Sequence, residues 1–494
     1  MGVYNADGYL VYTPVSGLVR TGIYNPNGTF NCVDRTNAVG FVGLYHPCGA
    51  YNVAVSSSSS YYAPNGAINV TPLGNGTFGQ KSGNIVIPPW VPRGDSARTP
   101  VIGAQYTTQQ YWNRGYQPNN TAFKTSAGGV FTRTTTKTYL NSTAVVSTAA
   151  INTEAFDFSP AAVVLGLSME GPSTNLCLRS GDLSVLPWES IGVTPTAGSK
   201  LAPDGTMSGT LLNAATSANT HRQQITVTAS TVYTWSFWVA RGTATDLKWS
   251  AYNITAAANI VAETSYYAQT SVNWTRVQFT FTTPVGCTSV YIYTQRNGSA
   301  GTYYAWGGQL EAVAFATSYI PTAAAATVNR AQDFLAFGPT GGLPFNGYDQ
   351  TQGAFIWEGD SAHINGVSPF ECLLSISDGT ANNLLQLALN SNGTISFVVI
   401  VAGVMQASIT SAAMTLGVRF RVLVLWRLNQ FEMWINGVKI GATDVSGTVP
   451  VVTLMRLGAQ HNGGAPMFGH ISQWWYFDVP PWGRAATLST VGGV

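Results

Sequence analysis

Carboxylates are scarce in this chain, so any pair that could share a reaction stands out. A strand reading E-x-D-x-x-E sets a general acid and a nucleophile on one face, roughly 5 Å apart, as retaining glycoside hydrolysis requires. Glu358-Gly-Asp360-Ser-Ala-His363 comes near this pattern and departs from it twice. The third carboxylate is replaced by His363, and Gly359 weakens the strand. The other histidines, His46, His221, His461 and His470, are dispersed, and no G-x-S-x-G, H-E-x-x-H or phosphate-binding loop occurs. No C-x-x-C or Cys/His cluster marks a zinc site. The expectation is a chain without catalytic residues.

Aromatic residues offer a different chemistry, because a flat ring can stack on a pyranose while amides bond its hydroxyls. Tyr233-Thr-Trp-Ser-Phe-Trp-Val-Ala240 alternates with period 2, which puts Tyr233, Trp235, Phe237 and Val239 on one face and Trp238 on the other. Trp274-Thr-Arg-Val-Gln-Phe-Thr-Phe281 turns Val277, Phe279 and Phe281 inward and Arg276 outward. Ser289-Val-Tyr-Ile-Tyr-Thr-Gln295 sets Val290 and Ile292 opposite Tyr291 and Tyr293. Trp238, Arg276, Tyr291, Tyr293 and Gln295 are therefore the candidates for sugar contact on the face opposite the core. The competing reading is that these outward rings pack against the next domain or a sister subunit.

Composition sets the frame for these strands. The chain has 494 residues, 45% hydrophobic, 9% charged and 12% aromatic, with 52 glycines. Charge at this level, against a usual share of about a quarter, leaves the polar surface to Gly, Ser, Thr, Asn and Gln. Aromatics favour strands and glycines favour turns, so the expected class is all-β. A net charge of +2 leaves no electrostatic footprint for nucleic acid or an anionic membrane. No apolar run of ~18 residues predicts membrane insertion, and no secretory signal is expected.

Four organisational stretches follow. Residues 1–95 repeat Tyr-x-x-x-Gly at Tyr4–Gly8, Tyr24–Gly28, Tyr45–Gly49 and Tyr62–Gly66, each followed by a short strand. Their Pro-Asn-Gly and Ala-Asp-Gly cores are turn chemistry, so the stretch reads as a β-hairpin repeat array. Units so small must stack along the chain or on other subunits, which suits oligomerisation or particle docking as well as a self-contained β-domain. Residues 96–170 read as a connector with extended strands, in which Glu154, Asp157 and Glu170 are turn or cap residues. Residues 171–330 and 331–494 read as two β-sandwiches, the second with a hairpin turn at Asn436-Gly437. Between them, Gly307 and Gly308 allow a bulge or a close backbone approach. Cys32 and Cys48 lie in neighbouring repeats and either pair, within or between subunits, or remain free thiols.

Trp306-Gly-Gly-Gln-Leu-Glu-Ala-Val-Ala-Phe-Ala-Thr-Ser-Tyr-Ile-Pro-Thr322 resembles the segment that closes a carbohydrate-binding-module-like jelly roll in bacteriophage fibre and appendage proteins. Ala149–Phe158 and Gly166–Leu176 resemble the segments that precede and enter it. Phe431–Val438, Leu454–Gly458 and Phe468–Phe477, in that order, resemble the concanavalin A/laminin-G-like lectin fold, which implies Asp378, Asn382, His461 and Asn462 as loop ligand groups. These loop residues read equally as turn chemistry. The resemblance implies a virion structural protein, assembled in the host cytoplasm, usually trimeric. It implies docking to other virion proteins by the N-terminus and display of the sandwiches to host polysaccharide. No cofactor is expected beyond a structural calcium, whose ligands spacing does not locate. The alternatives are a capsid or tail decoration protein and a tailspike that degrades glycan.

Overall fold

The computed structural model describes residues 100–113, 116–117, 119–324, 326–361 and 369–491, with the backbone of six short strands before residue 100. The chain divides into two compact units at Thr99/Pro100.

In the first unit, Val3–Tyr4 pairs antiparallel with Leu10–Val11, and Gly22–Tyr24 with Phe30–Cys32. The first two Tyr-x-x-x-Gly units lie between these paired strands in sequence. The later strands differ from the expected hairpin, since Val53–Val55 pairs parallel with Val70–Pro72. A parallel pair needs a connection of about a dozen residues or more, and fourteen residues separate these two strands in sequence. The Cys32 and Cys48 side chains, and His363, lie outside the described residues.

The second unit holds two antiparallel sandwiches. In the smaller, one five-stranded sheet runs Trp188–Ile191, Thr220–Thr226, Ser289–Arg296, Lys248–Asn253, Ala258–Ser265. The other runs Val193–Lys200, Gly209–Ala214, Gly301–Glu311, Val232–Arg241, Thr275–Thr282. Tyr233, Trp235, Phe237, Val277, Phe279, Val290 and Ile292 meet in the core between them, as the period-2 alternation predicts. Ser236 pairs with Gln309 and Trp238 with Trp306, so three steps on one strand oppose two on the other. The extra residue is a bulge at Gly307 and Gly308. Gly307 has φ +70°, and a Cβ there would lie 2.5 Å from the Trp238 ring. The bulge and the close approach anticipated at this pair are one feature.

The larger sandwich faces a seven-stranded sheet against a ten-stranded one. Its central strand Gly469–Phe477 pairs along one edge with Gln352–Ser361. Its other edge is completed by Ile102–Gln105 and Val164–Met169. Gly129–Thr132 extends the opposite sheet beside Phe334–Phe337. Residues 96–170, expected as a connector, thus supply strands of this sandwich. The physical reason is the unpaired edge of Gly469–Phe477, whose backbone groups need partners inside the fold. An eight-residue helix, Asn120–Ala127, also interrupts the stretch. Asn119 caps it by accepting from the Ala122 amide, and Gly128 ends it at φ +68°.

The smaller sandwich is therefore an insertion in the larger one. Its entry Ser173–Asn175 and exit Val328–Arg330 pair antiparallel with each other. A buried ionic cluster sits beside this doorway. Asp333 accepts from Arg133 at 2.8 Å and Lys137 at 2.6 Å, and Glu170 pairs with Lys137 and Arg330 at 3.0 Å each. Burial raises the Glu170 carboxyl, but Arg330 and Lys137 outweigh it and hold the group well below the usual carboxylate range. Glu170 is thus an ion-pair residue rather than a cap, as is Glu154, which pairs with Lys124.

Candidate carbohydrate-binding face

Alternation along Ser289–Arg296 turns Tyr291 and Tyr293 away from the core. Tyr252, on the adjacent strand, is the cross-strand partner of Tyr291. Two arginines cover this row of phenols. The Arg222 guanidinium lies 3.6 Å from the Tyr291 ring centre and pairs with Glu189 at 2.9 Å. Arg296 lies 5.0 Å from Tyr293 and 5.2 Å from Tyr252. It donates to Asn259 Oδ1 at 2.7 Å and Ser250 Oγ at 3.0 Å, and pairs with Glu263 at 3.1 Å. Burial lowers Arg222, but the Tyr293 hydroxyl and Glu189 raise it further, so the guanidinium stays charged.

The outcome is a face built from three phenols, two guanidinium planes and two carboxylates, balanced in charge. The arginines and glutamates remain partly exposed, at 20–39%. Tyr293 is only 2% exposed, so its ring offers no open stacking platform, whereas Tyr291 is half-buried. A ligand here meets guanidinium N–H donors and carboxylate acceptors around a phenol edge, an arrangement suited to paired sugar hydroxyls.

The remaining candidates lie elsewhere. Trp238 and Arg276 do point away from the core, but the chain after Glu311 folds back over them. Trp238 packs against Trp306 and Tyr319 at 5.3 and 5.5 Å between centres, and Arg276 donates to the Thr317 carbonyl at 2.8 Å. They are covered by their own domain's exit segment and are not surface sugar contacts. Gln295 is fully buried, and its Oε1 accepts the Lys248 amide at 2.9 Å, so it supports a loop. Asp378 closes a turn, accepting from Thr380 and Asn383. Burial raises its carboxyl, and those hydrogen bonds hold it below the usual range. Exposed Asn382 belongs to the same turn. Burial and neighbouring Arg456 lower His461, which lies near enough to Asp378 to feel its charge, and Asn462 closes a turn by accepting the Gly464 amide.

Glu358 and Asp360 are both buried and charge-paired. Glu358 is buried against Arg421 at 2.6 Å, and Asp360 accepts from His470. Among the described residues, no group of three or more His, Cys, Asp or Glu is placed to hold a metal ion. Cys177, Cys287 and Cys372 are buried free thiols.

Arg222, Arg296, Tyr252, Glu189 and Glu263 escaped the sequence reading. Thr220–Thr226 hides its alternation because its inward residues include His221 and Gln223. His221 stacks on Trp188 at 5.0 Å and bonds Thr294 and Leu183, and burial pushes its imidazole down to about 4. An inward polar pair thus erases the signal that would have marked Arg222 as outward.

No family model matches the chain, and no curated protein does. Among solved structures it is similar to the CBM40 domain of the Ruminococcus gnavus IT-sialidase bound to α2,3-sialyllactose. That likeness has 17% identity and TM-score 0.25, over 28% of this chain and 83% of that one. It is also similar to a leech intramolecular trans-sialidase complexed with 2,7-anhydro-Neu5Ac, at 17% identity and TM-score 0.25, over 29% and 24%. A third likeness is to the heptameric SAP-like pentraxin of Limulus polyphemus, at 15% identity and TM-score 0.23, over 30% and 76%. These are partial likenesses of low identity, and the functional reading of this chain rests on its own residues.

Proposed function

We propose that this chain is a non-enzymatic glycan-binding structural protein of a phage appendage. In this reading it attaches by its N-terminal unit and displays the two sandwiches to host polysaccharide. The observation that carries glycan binding is the face where half-buried Tyr291 lies under Arg222 and the partly exposed Arg222–Glu189 and Arg296–Glu263 pairs present donors and acceptors side by side. The resemblance of Trp306–Thr322 to the closing segment of phage fibre and appendage proteins supports the setting. Glu358, held by Arg421 beneath the surface, leaves the glycan-degrading alternative without an accessible carboxylate pair at that strand.

The test is a glycan array and host-envelope polysaccharide binding with the full chain, beside Arg222→Ala and Tyr291→Ala. A charged hydrogen bond contributes about 1.5–3 kcal/mol, so Arg222→Ala is expected to lose roughly tenfold or more in affinity, and Tyr291→Ala, which removes the ring beneath that guanidinium, to weaken binding as well. Absence of binding by the parent chain would move the reading to particle assembly. Release of oligosaccharides by the parent chain would move it to a degrading tailspike. Particle reconstruction locates the N-terminal attachment and counts the copies, with three expected.

A further inference from the structure

The outer face of the second sheet carries a cleft that is separate from the tyrosine–arginine face. It is an open groove of ≈ 620 Å³ between the Lys137–Leu140/Val146–Ala149 hairpin, the segment around Arg179 to Asp182, the loop holding Asp204, and the exit segment. That volume falls within the ~300–1,000 Å³ typical of small-molecule sites. Trp306 and Tyr319 form the apolar floor.

Three observations point to a ligand. First, buried polar atoms are almost always hydrogen-bonded, yet Trp306 Nε1 and Arg179 Nε have no partner, and both residues line this cleft. Trp306 is 2% exposed, so its N–H is a buried donor without an acceptor. Second, Gly181 stands in front of that donor. A Cβ built at Gly181 would lie 3.7 Å from Trp306 Nε1 and 3.8 Å from the Tyr319 hydroxyl, and its backbone is not in the left-handed region. Neither φ nor steric crowding requires glycine there, and its missing side chain leaves the space beside the indole open. Third, two carboxylates are half committed. Asp182 Oδ1 accepts from Ser184, and Asp204 Oδ1 accepts from Thr206. Their second oxygens take no hydrogen bond from the described residues. Arg179 itself holds φ +48°, a left-handed conformation that costs a non-glycine residue energy and often accompanies function.

We propose that this cleft binds the end of a neutral saccharide chain. The indole N–H and the Arg179 guanidinium donate to sugar oxygens, and Asp182 and Asp204 accept from hydroxyls, while Trp306 and Tyr319, 2% and 5% exposed, close the floor without offering a stacking platform. Two carboxylates against one guanidinium disfavour an anionic sugar. The site does not depend on the face proposed above, because it lies on the other sheet and uses other residues.

Titration calorimetry of the full chain with maltotriose, cellotriose and N,N′,N″-triacetylchitotriose tests this, with trigalacturonic acid as the anionic counterpart. At least one neutral trimer is expected to bind, and the acidic one not. Gly181→Leu fills the space before the indole, and Asp204→Asn replaces the uncommitted oxygen. Each is expected to weaken binding roughly tenfold or more, about 1.4 kcal/mol, without lowering the melting temperature. Should Gly181→Leu fail to fold, Gly181→Ala decides, since its methyl reaches only ordinary contact distance. Arg222→Ala is expected to leave this binding intact, which separates failure of the cleft from failure of the face. Binding unchanged in both Gly181 and Asp204 variants, or no binding by any neutral trimer, overturns the proposal.

Discussion

His470 lies between two carboxylates, with Nδ1 2.8 Å from Asp360 and Nε2 3.3 Å from Asp157. Burial lowers its pKa, but Asp157 and Asp360 outweigh that and push it up to about 9. A folded-state value above the unfolded one means that the imidazolium stabilises the native state. That contribution is complete below about pH 6.5 and fades as pH rises through about 9, for a total on the order of 3 kcal/mol. Melting temperature should therefore fall across this window, and His470→Gln should flatten the slope; an unaltered slope would refute the assignment. Glu358 makes a second case. Glu358→Gln removes the charge facing buried Arg421 and is expected to cost about 3–5 kcal/mol in denaturant unfolding. Side-chain identity advertised neither role, because Asp157, Asp360 and His470 are far apart in sequence.

At the scale of elements, the exit strand Gly301–Glu311 and the segment after it do two jobs. The strand contributes Tyr303, Ala305 and Leu310 to the core. The following residues return over the outer face, where Glu311 accepts from Ser173 and Thr317. The bulge at Gly307 makes this possible by admitting the Trp238 ring. Gly307→Ala combines a left-handed φ with a methyl 2.5 Å from that ring, and should cost about 2 kcal/mol or more by chemical denaturation. A loss below a few tenths would show that the ring moves aside freely. Strand faces were legible wherever apolar residues alternate, and the two-residue turn at Asn436 (φ 49°) and Gly437 (φ 86°) was legible from its residue pair. The helix Asn120–Ala127 was not, since Asn-Thr-Ala-Phe-Lys-Thr-Ser-Ala shows too little apolar periodicity to outweigh its polar setting.

The whole second unit is a sandwich with another sandwich inserted between two of its strands. Its larger core draws Ile102, Tyr111, Phe123 and Phe131 together with Trp357, Trp426 and Trp474. A chain starting near residue 331 would lack these side chains and leave both sheets open. Limited proteolysis should therefore yield no lasting fragment that begins near residue 331, and its accumulation would contradict this architecture. At the doorway, Asp333 satisfies Arg133 and Lys137 at once. Asp333→Ala leaves two buried cations short of a partner, with an expected loss of about 3–5 kcal/mol in unfolding free energy. Calorimetry on this variant should also separate the melting of the two sandwiches.

By itself the sequence determined the all-β class, the inward faces of the main strands, the outward direction of Tyr291 and Tyr293, and Gly307-Gly308 as the place for a bulge or a close backbone approach. Each follows from local period, turn chemistry or residue size, which neighbours in sequence express. Only the tertiary structure decided which outward residues meet solvent. Trp238 and Tyr291 obey the same alternation, yet Trp238 is roofed by residues some 80 positions later, while Tyr291 remains on an open sheet. Pairing between distant strands, burial by a returning segment and the convergence of Arg179, Asp182, Asp204 and Trp306 on one cleft leave no periodic trace, because they depend on where the chain comes back.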